Sequence, residues 1–353
     1  MRVTVPLAGG LSEQDWARRH AAGEVPDRSP YGLHRLDRHD MSVRFASADF
    51  GAGRVGRAAA RVARSVRHRT GGYEFVEAFT SGGRIGEADA VLAYDERTAV
   101  PALLTGRTPV AAGIGWLNRR AVAGGVHGAL AARALPRAGA VWAQCSAVLP
   151  VIGAEWGVPA SRLQFVPLGI DTEFYGEQPL PETPGLVMSA GEDRFRDHAT
   201  LIGAVAAVRR NRPETRLELA SALPFDAPDG LVTVHTERLN GRIRELYRRA
   251  SVVAVALHPT VTGSGLTVVL EAMASGRPIV VTDNPGVDDY VEHGVTGLTV
   301  PAGDCAAMAG AIESLLSDDG MRIEMGRAAA KRAREQFTSA IMVDHLARML
   351  RRM

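Results

Sequence analysis

The chain alternates from end to end between short apolar runs and longer stretches of helical period. No other feature restricts its folding as strongly. Strand-like runs occupy 3–7, 43–46, 73–77, 90–94, 108–111, 140–144 and 163–167 in the first half, with helical patterns at 55–66, 97–104, 122–134 and 147–156. Apolar strands separated by helices of about ten residues or more make parallel sheets covered on both faces. The alternation stops at 169–185, where three prolines and three glycines carry neither period, so this stretch reads as a linker. It resumes with strands at 186–190, 216–220, 232–235, 252–257, 278–282 and 298–300, and helices at 200–210, 241–249, 268–274, 286–293, 305–316 and 320–336. Residues 339–352 add an amphipathic helix with Ile341, Val343, Leu346 and Leu350 at its apolar positions. The expected architecture is α/β: two Rossmann-like parallel-sheet domains, 1–168 and 186–336, facing across a cleft, with 337–353 packing back on the first. Open α/β sheets bind ligands at the carboxyl ends of their strands, so the cleft is the expected site.

Composition narrows the partners. At 353 residues two cores are affordable, and 46% apolar with 23% charged residues excludes a disordered chain, a collagen repeat or a bare coiled coil. No apolar run reaches the ~18–20 residues that span a bilayer. The opening MRVTVPLAGG reads as a first buried strand and not as a signal peptide. A net charge of +2, from 41 basic and 39 acidic residues, gives no reason to expect nucleic acid. Cys145 and Cys305 lie far apart without a CxxC, which argues against a disulfide framework or zinc site and for a reducing cytoplasm. No Asp-x-Asp calls for a metal. The basic residues are arginines except Lys331.

The most informative stretch runs from Val252 to Thr282: an apolar strand, a small-residue loop (Thr260-Val-Thr262-Gly-Ser264-Gly265-Leu266-Thr267), a short helix, a glycine turn and another apolar strand. Glycine lets backbone approach a ligand closely, and a helix start offers free N–H groups to an anion. Glu271 falls one turn beyond Thr267 on the same helix face, where a carboxylate can accept hydrogen bonds from ribose hydroxyls. Diphosphate and ribose together point to a nucleotide.

Residues 265–304 resemble the donor-binding half of the GT-B glycosyltransferases, specifically the large retaining family with a Glu-x7-Glu motif. Val166-Pro-Leu-Gly-Ile-Asp171-Thr-Glu-Phe174 is similar to that family's interdomain crossing, and Ala190-Gly-Glu-Asp-Arg194-Phe-Arg196 to its first strand–loop–helix of the second domain. The resemblance covers about 165–337. It implies transfer of a sugar from a UDP- or GDP-sugar to a small molecule, natural product or glycan intermediate, with retention and without cofactor or metal. By the same resemblance Glu271 holds the ribose, Gly265, Leu266 and Thr267 surround the phosphates and donor sugar, Arg196 takes the place of a phosphate-binding lysine, and Arg194 serves as its arginine partner. Gly263 stands where the first motif Glu would fall, with either Thr262 or Ser264 as its replacement or a loop one residue longer, and 111–116 lacks the family's frequent first-domain His.

Plainer readings stand beside these. Gly9, Gly10 and Gly32 serve either as turn residues or as the first-domain wall of the phosphate site, and the polar loop 11–30 shapes the acceptor pocket. His127 reads as structural or exposed, and Asp197 as a cap for the helix at Thr200. Arg54, Arg57, Arg61 and Arg64 form a cationic face on a helix starting near Ala52, with Val55, Ala59, Val62 and Val66 opposite. That is a solvated face on a core-packed helix; contact with an anionic membrane surface is the alternative, and the lack of interleaved Trp or Phe argues against insertion. For function, the alternatives are a catalytically silent GT-B binding or partner subunit and a sugar-nucleotide epimerase. A dehydrogenase would need a Gly-x-Gly-x-x-Gly after the first strand, which is absent.

Overall fold

A computed structural model of the chain describes residues 1–48, 50–51, 53–81, 86–176 and 182–353. Ala52, where the cationic helix is expected to begin, and 177–181 of the expected linker lie outside the described residues. The chain divides into two units, one made of 1–21, 28–167 and 342–353, the other of 22–27 and 168–341.

The first unit holds one sheet of β1 (Arg2–Pro6), β2 (Ser42–Ala46), β3 (Ala90–Ala93), β4 (Val110–Ile114), β5 (Ala140–Ala143) and β6 (Leu163–Phe165), in the order β2-β1-β3-β4-β5-β6. Every pairing is parallel. β3, β4 and β5 are buried at every position. A parallel strand covered on both faces must be apolar throughout, which is why these segments read as unbroken apolar runs.

The second unit holds β7 (Leu186–Ala190), β8 (Arg216–Ala220), β9 (Val232–His235), β10 (Val252–Val255), β11 (Ile279–Thr282) and β12 (Leu298–Val300), in the order β12-β11-β10-β7-β8-β9. These pairings are also parallel, with Val253 opposite Ile279 and Leu217 opposite Val232. Its core joins Val187, Leu219, Ala254 and Val280 of the sheet to Leu201, Val205 and Val208 of the helix His198–Asn211 and to Met308, Ile312 and Leu315 of the helix Cys305–Ser317. Asp197 and Asp304 cap those two helices, accepting from Thr200 N at 3.0 Å and Ala307 N at 2.8 Å.

Four expectations are corrected. Residues 73–77 are not a strand: Phe75–Thr80 is a helix, which turns Glu77 toward Arg67 at 2.7 Å while Glu74, just before it, accepts from Gly9 N at 2.8 Å. Five residues are too few to separate a period of two from a helical turn. Residues 286–293 form turns, not a helix: Gly286 has φ +89°, and Tyr290 and Val291 both bond back to Val287 O. The loop 11–30 contains the helix Glu13–Ala21, which buries nothing and is built locally. Ser12 Oγ caps Asp15 N at 3.1 Å, and acidic residues open the helix while basic residues close it. Finally, on the helix Gly53–Arg69 the buried positions are Gly56 and Ala63, whereas Val55 and Val62 are 83% and 56% exposed. At Gly56 the neighbour is the backbone just before the helix, where a Cβ would lie 2.0 Å from Gly51 O.

Candidate functional site

In the second sheet the chain leaves β7 toward β8 on one side and β10 toward β11 on the other. The neighbouring carboxyl ends of β7 and β10 therefore form a switch point, where open sheets bind ligands. Two loops follow these strands and are zipped together. Arg196 bridges antiparallel to Leu257, Asp197 N donates to Ala256 O at 3.0 Å, and His258 N donates to Phe195 O at 2.8 Å.

The Arg196 side chain, 6% exposed, is fixed between these loops. Its Nε donates to Asp193 Oδ2 at 2.8 Å. Asp193 Oδ1 in turn accepts from Phe195 N at 3.0 Å and from Ser264 Oγ at 2.7 Å. The guanidinium lies across Gly191 (φ +131°), where an added Cβ would sit 2.2 Å from Nε. Its Nη1 is buried and has no hydrogen-bond partner among the described residues. This atom lies 3.5 Å from where a Cβ would stand on Gly265, the φ +81° residue that opens the helix Leu266–Ala274. A spare charged donor thus sits beside a helix start whose first amides have no partner inside the helix, an arrangement suited to a diphosphate. Arg194 stands apart. It is exposed, with its guanidinium 4.8 Å over the Phe195 ring.

Glu271 lies farther along the same helix and is buried. Its Oε1 accepts from Tyr175 Oη at 2.6 Å and its Oε2 from Tyr247 Oη at 2.7 Å. Burial pushes its carboxyl up, opposed by the two tyrosine bonds and by Arg196. Burial, then the Glu271 charge, raises both tyrosines well above their ordinary value. A carboxylate offers about four lone-pair sites, so the two tyrosine bonds leave two of them. Tyr175 comes from the helix Thr172–Tyr175, inside the expected linker, where Asp171 caps Glu173 N and Phe174 N. Tyr247 comes from the helix Ile243–Arg249.

Of the other expected residues, Leu266 is buried and Thr267 is exposed at the helix start. Thr262 is turned into its own loop, its hydroxyl 2.9 Å from Thr260 Oγ1. Ser264 belongs to the Arg196 cluster through Asp193. Gly10 and Gly32 lie in the first unit with φ +79° and +68°. Gly10 follows β1 and is exposed, while Gly32 is buried beside Tyr31, whose ring stacks on Tyr94 at 3.4 Å. His127 is in the first unit too, stacked on Tyr73 at 4.6 Å. Sequence reasoning missed Asp193, Tyr175 and Tyr247, for which only the neighbouring motif residues offered any signal. Among the described residues no cluster of three or more His, Cys, Asp or Glu could hold a metal, and no helix is long and apolar enough to cross a membrane.

Known proteins resemble this chain in part of its sequence and in its whole fold. Residues 186–318 match the family described as glycosyl transferases group 1. A D-inositol 3-phosphate glycosyltransferase of Pseudarthrobacter chlorophenolicus is 29% identical over 218 residues, which is 54% of this chain and 51% of that protein. The corresponding protein of Nocardia farcinica is 32% identical over 161 residues, 44% of this chain and 34% of its own. The chain spans about half, or less, of the length of these relatives. The crystal structure of Anabaena Alr3699/HepE in complex with UDP-glucose aligns over 100% of both chains at a TM-score of 0.69 and 17% identity. Sucrose-phosphate synthase from Thermosynechococcus elongatus aligns over 99% of this chain and 98% of its own, at a TM-score of 0.69 and 16% identity. The chain has the two-domain α/β GT-B fold, and within it residues 186–318 are similar to the glycosyl transferases group 1 family.

Proposed function

We propose that the protein is a glycosyltransferase that moves the sugar of a UDP- or GDP-sugar to an acceptor, with retention and without a resident metal. The observation that carries this reading is the buried Arg196 guanidinium, held by Asp193 over Gly191, with its free Nη1 beside the helix start at Gly265. Charge builds on the departing diphosphate during transfer, and a fixed cation in a protected site stabilises that charge more than it stabilises the substrate. Glu271 takes the ribose hydroxyls on its remaining lone pairs, and Thr267, exposed at the helix start, faces the donor sugar. Arg194 assists from the loop surface. The acceptor is a small molecule or a glycan intermediate, and the relatives named for D-inositol 3-phosphate support the small-molecule choice. Two free cysteines fit a reducing compartment, and we place the enzyme in the cytoplasm.

The test is release of UDP or GDP from donor sugars by the purified chain, combined with nucleotide binding by thermal shift. Arg196→Ala should lower turnover by about 10²–10³-fold, with Arg194→Ala costing much less. A chain that binds neither nucleotide sinks the reading.

Two observations favour a second reading, a catalytically silent subunit. Both Glu271 oxygens are already engaged by tyrosines, and Gly263 stands at the first motif position. A folded Glu271→Ala variant with full biological activity would establish it.

A further inference from the structure

The second unit carries a basic hollow at the opposite end of the same helix. The helix Leu266–Ala274 ends in a Schellman turn, in which Arg277 N donates to Ala272 O at 3.0 Å and Gly276 N to Met273 O at 2.9 Å. Gly276 takes φ +69°, the left-handed conformation this motif requires. The helix Asp319–Gln336 presses against this turn at Gly326, where a Cβ would lie 2.3 Å from Gly276 O. Beside the contact lies a half-open hollow of about 310 Å³, at the lower end of the roughly 300–1,000 Å³ usual for small-molecule sites. Arg277, Arg322, Arg327 and Arg334 line it, and Glu182 is the one carboxylate in its wall among the described residues. Ile323, Arg327, Ala330 and Arg334 follow one face of the long helix.

The charges do not balance. Glu182 is shared, pairing with Arg322 Nη2 and standing 3.6 Å from Arg277 Nη1. Asp319, outside the wall, takes Arg322 Nη1 at 2.6 Å. Arg327 and Arg334 have no carboxylate partner among the described residues and are exposed. The Arg277 side chain is only 10% exposed, and its Nε has no hydrogen-bond partner among the described residues. Removing a guanidinium from water without a matching acceptor costs free energy, and planar guanidinium forks match phosphate oxygens in pairs.

We infer that this hollow is a binding site for a small phosphate-bearing molecule, separate from the site at Arg196. The guanidiniums of Arg327 and Arg334 grip the phosphate, and Arg277 and Arg322 supply the positive floor. A concave wall of this volume suits a small ligand better than an extended acidic peptide, which would follow a flatter surface.

Isothermal titration of the full chain with inorganic pyrophosphate, at constant ionic strength, tests the inference. Arg327→Ala/Arg334→Ala should weaken one binding event by about tenfold or more, while Arg196→Ala leaves that event in place. Should the double alanine variant unfold early, Arg327→Gln/Arg334→Gln replaces it with the same expectation. Equal affinity in wild type and double variant overturns the assignment. So does loss of all pyrophosphate binding in Arg196→Ala alone, and so does binding of a Glu-rich peptide by a chain that ignores pyrophosphate.

Discussion

Gly191 decides where Arg196 can point. Its φ of +131° is open to glycine and disfavoured for residues with a side chain, and the guanidinium occupies the space a Cβ would need, 2.2 Å from Nε. Gly191→Ala must therefore strain the backbone, displace Arg196, or both. We expect the variant to lose nucleotide binding to about the extent of Arg196→Ala while losing roughly 1–3 kcal/mol of stability, as measured by thermal shift with UDP and by urea unfolding. Unchanged UDP binding would show that Arg196 is not held for the nucleotide. The same cluster explains what could be read from the sequence. Ser264, Gly265 and Glu271 lie within one short segment, so glycine, helix start and carboxylate present themselves together. Tyr175 and Tyr247 reach Glu271 across 96 and 24 residues, a closeness created only by the packing of three helices, with no local pattern to announce it.

Among the elements, the buried strands were legible because burial on both faces forces them to be apolar throughout. The helix Glu13–Ala21 was not, because it has no buried face and rests on a cap and its terminal charges; a search for apolar period passes over it. The helix Glu96–Thr105 makes the cost of such local devices measurable. Asp95 caps it, and Glu96 in its first turn is 1% exposed, accepting from Gly115 N and Trp116 N, both at 2.8 Å, and so fixing the loop after β4. Burial, with the Asp95 charge added, pushes the Glu96 carboxyl from 4.5 up to about 7, against the pull of those amide bonds. A folded-state value above the unfolded one means that stabilisation is present below pH 4.5 and is lost as pH rises toward 7. His34 works in the opposite sense: burial lowers it to about 4, so its contribution grows as pH rises from there to its ordinary 6.5. The comparison must therefore be between wild type and Glu96→Gln. Between pH 5 and 8 the wild type should lose roughly 1–3 kcal/mol relative to the variant, read from urea midpoints. Parallel pH profiles would mean that Glu96 does not titrate in this window.

At the scale of the whole molecule, chain order and structural unit do not coincide. Residues 22–27 belong with the second unit, where Asp27 N donates to Asp171 Oδ2 at 3.0 Å and Ser339 Oγ donates to Asp27 Oδ1 at 3.2 Å. Residues 342–353 belong with the first, although 168–341 separate them from the rest of it. The apolar period of 339–352 announces a helix that must bury one face, but it does not say that the unit boundary falls inside the helix Ser339–Leu350. Met342, Val343, Leu346, Ala347, Met349 and Leu350 are each at most 1% exposed. In the first unit Tyr94 Oη meets Met342 Sδ at 3.7 Å, His39 pairs with Asp344 at 2.8 Å, and Arg351 donates to His39 O at 2.8 Å. A terminal segment so deeply buried completes a core and is no appendage, since each fully buried aliphatic side chain contributes about 1.5–3 kcal/mol. Deleting 342–353 removes several such side chains, an amount comparable to the roughly 5–15 kcal/mol that holds a domain folded. We therefore expect the truncated chain to lose the cooperative unfolding of the first unit in calorimetry while a UDP-responsive transition of the second unit persists. A thermogram identical to that of the full chain would contradict this.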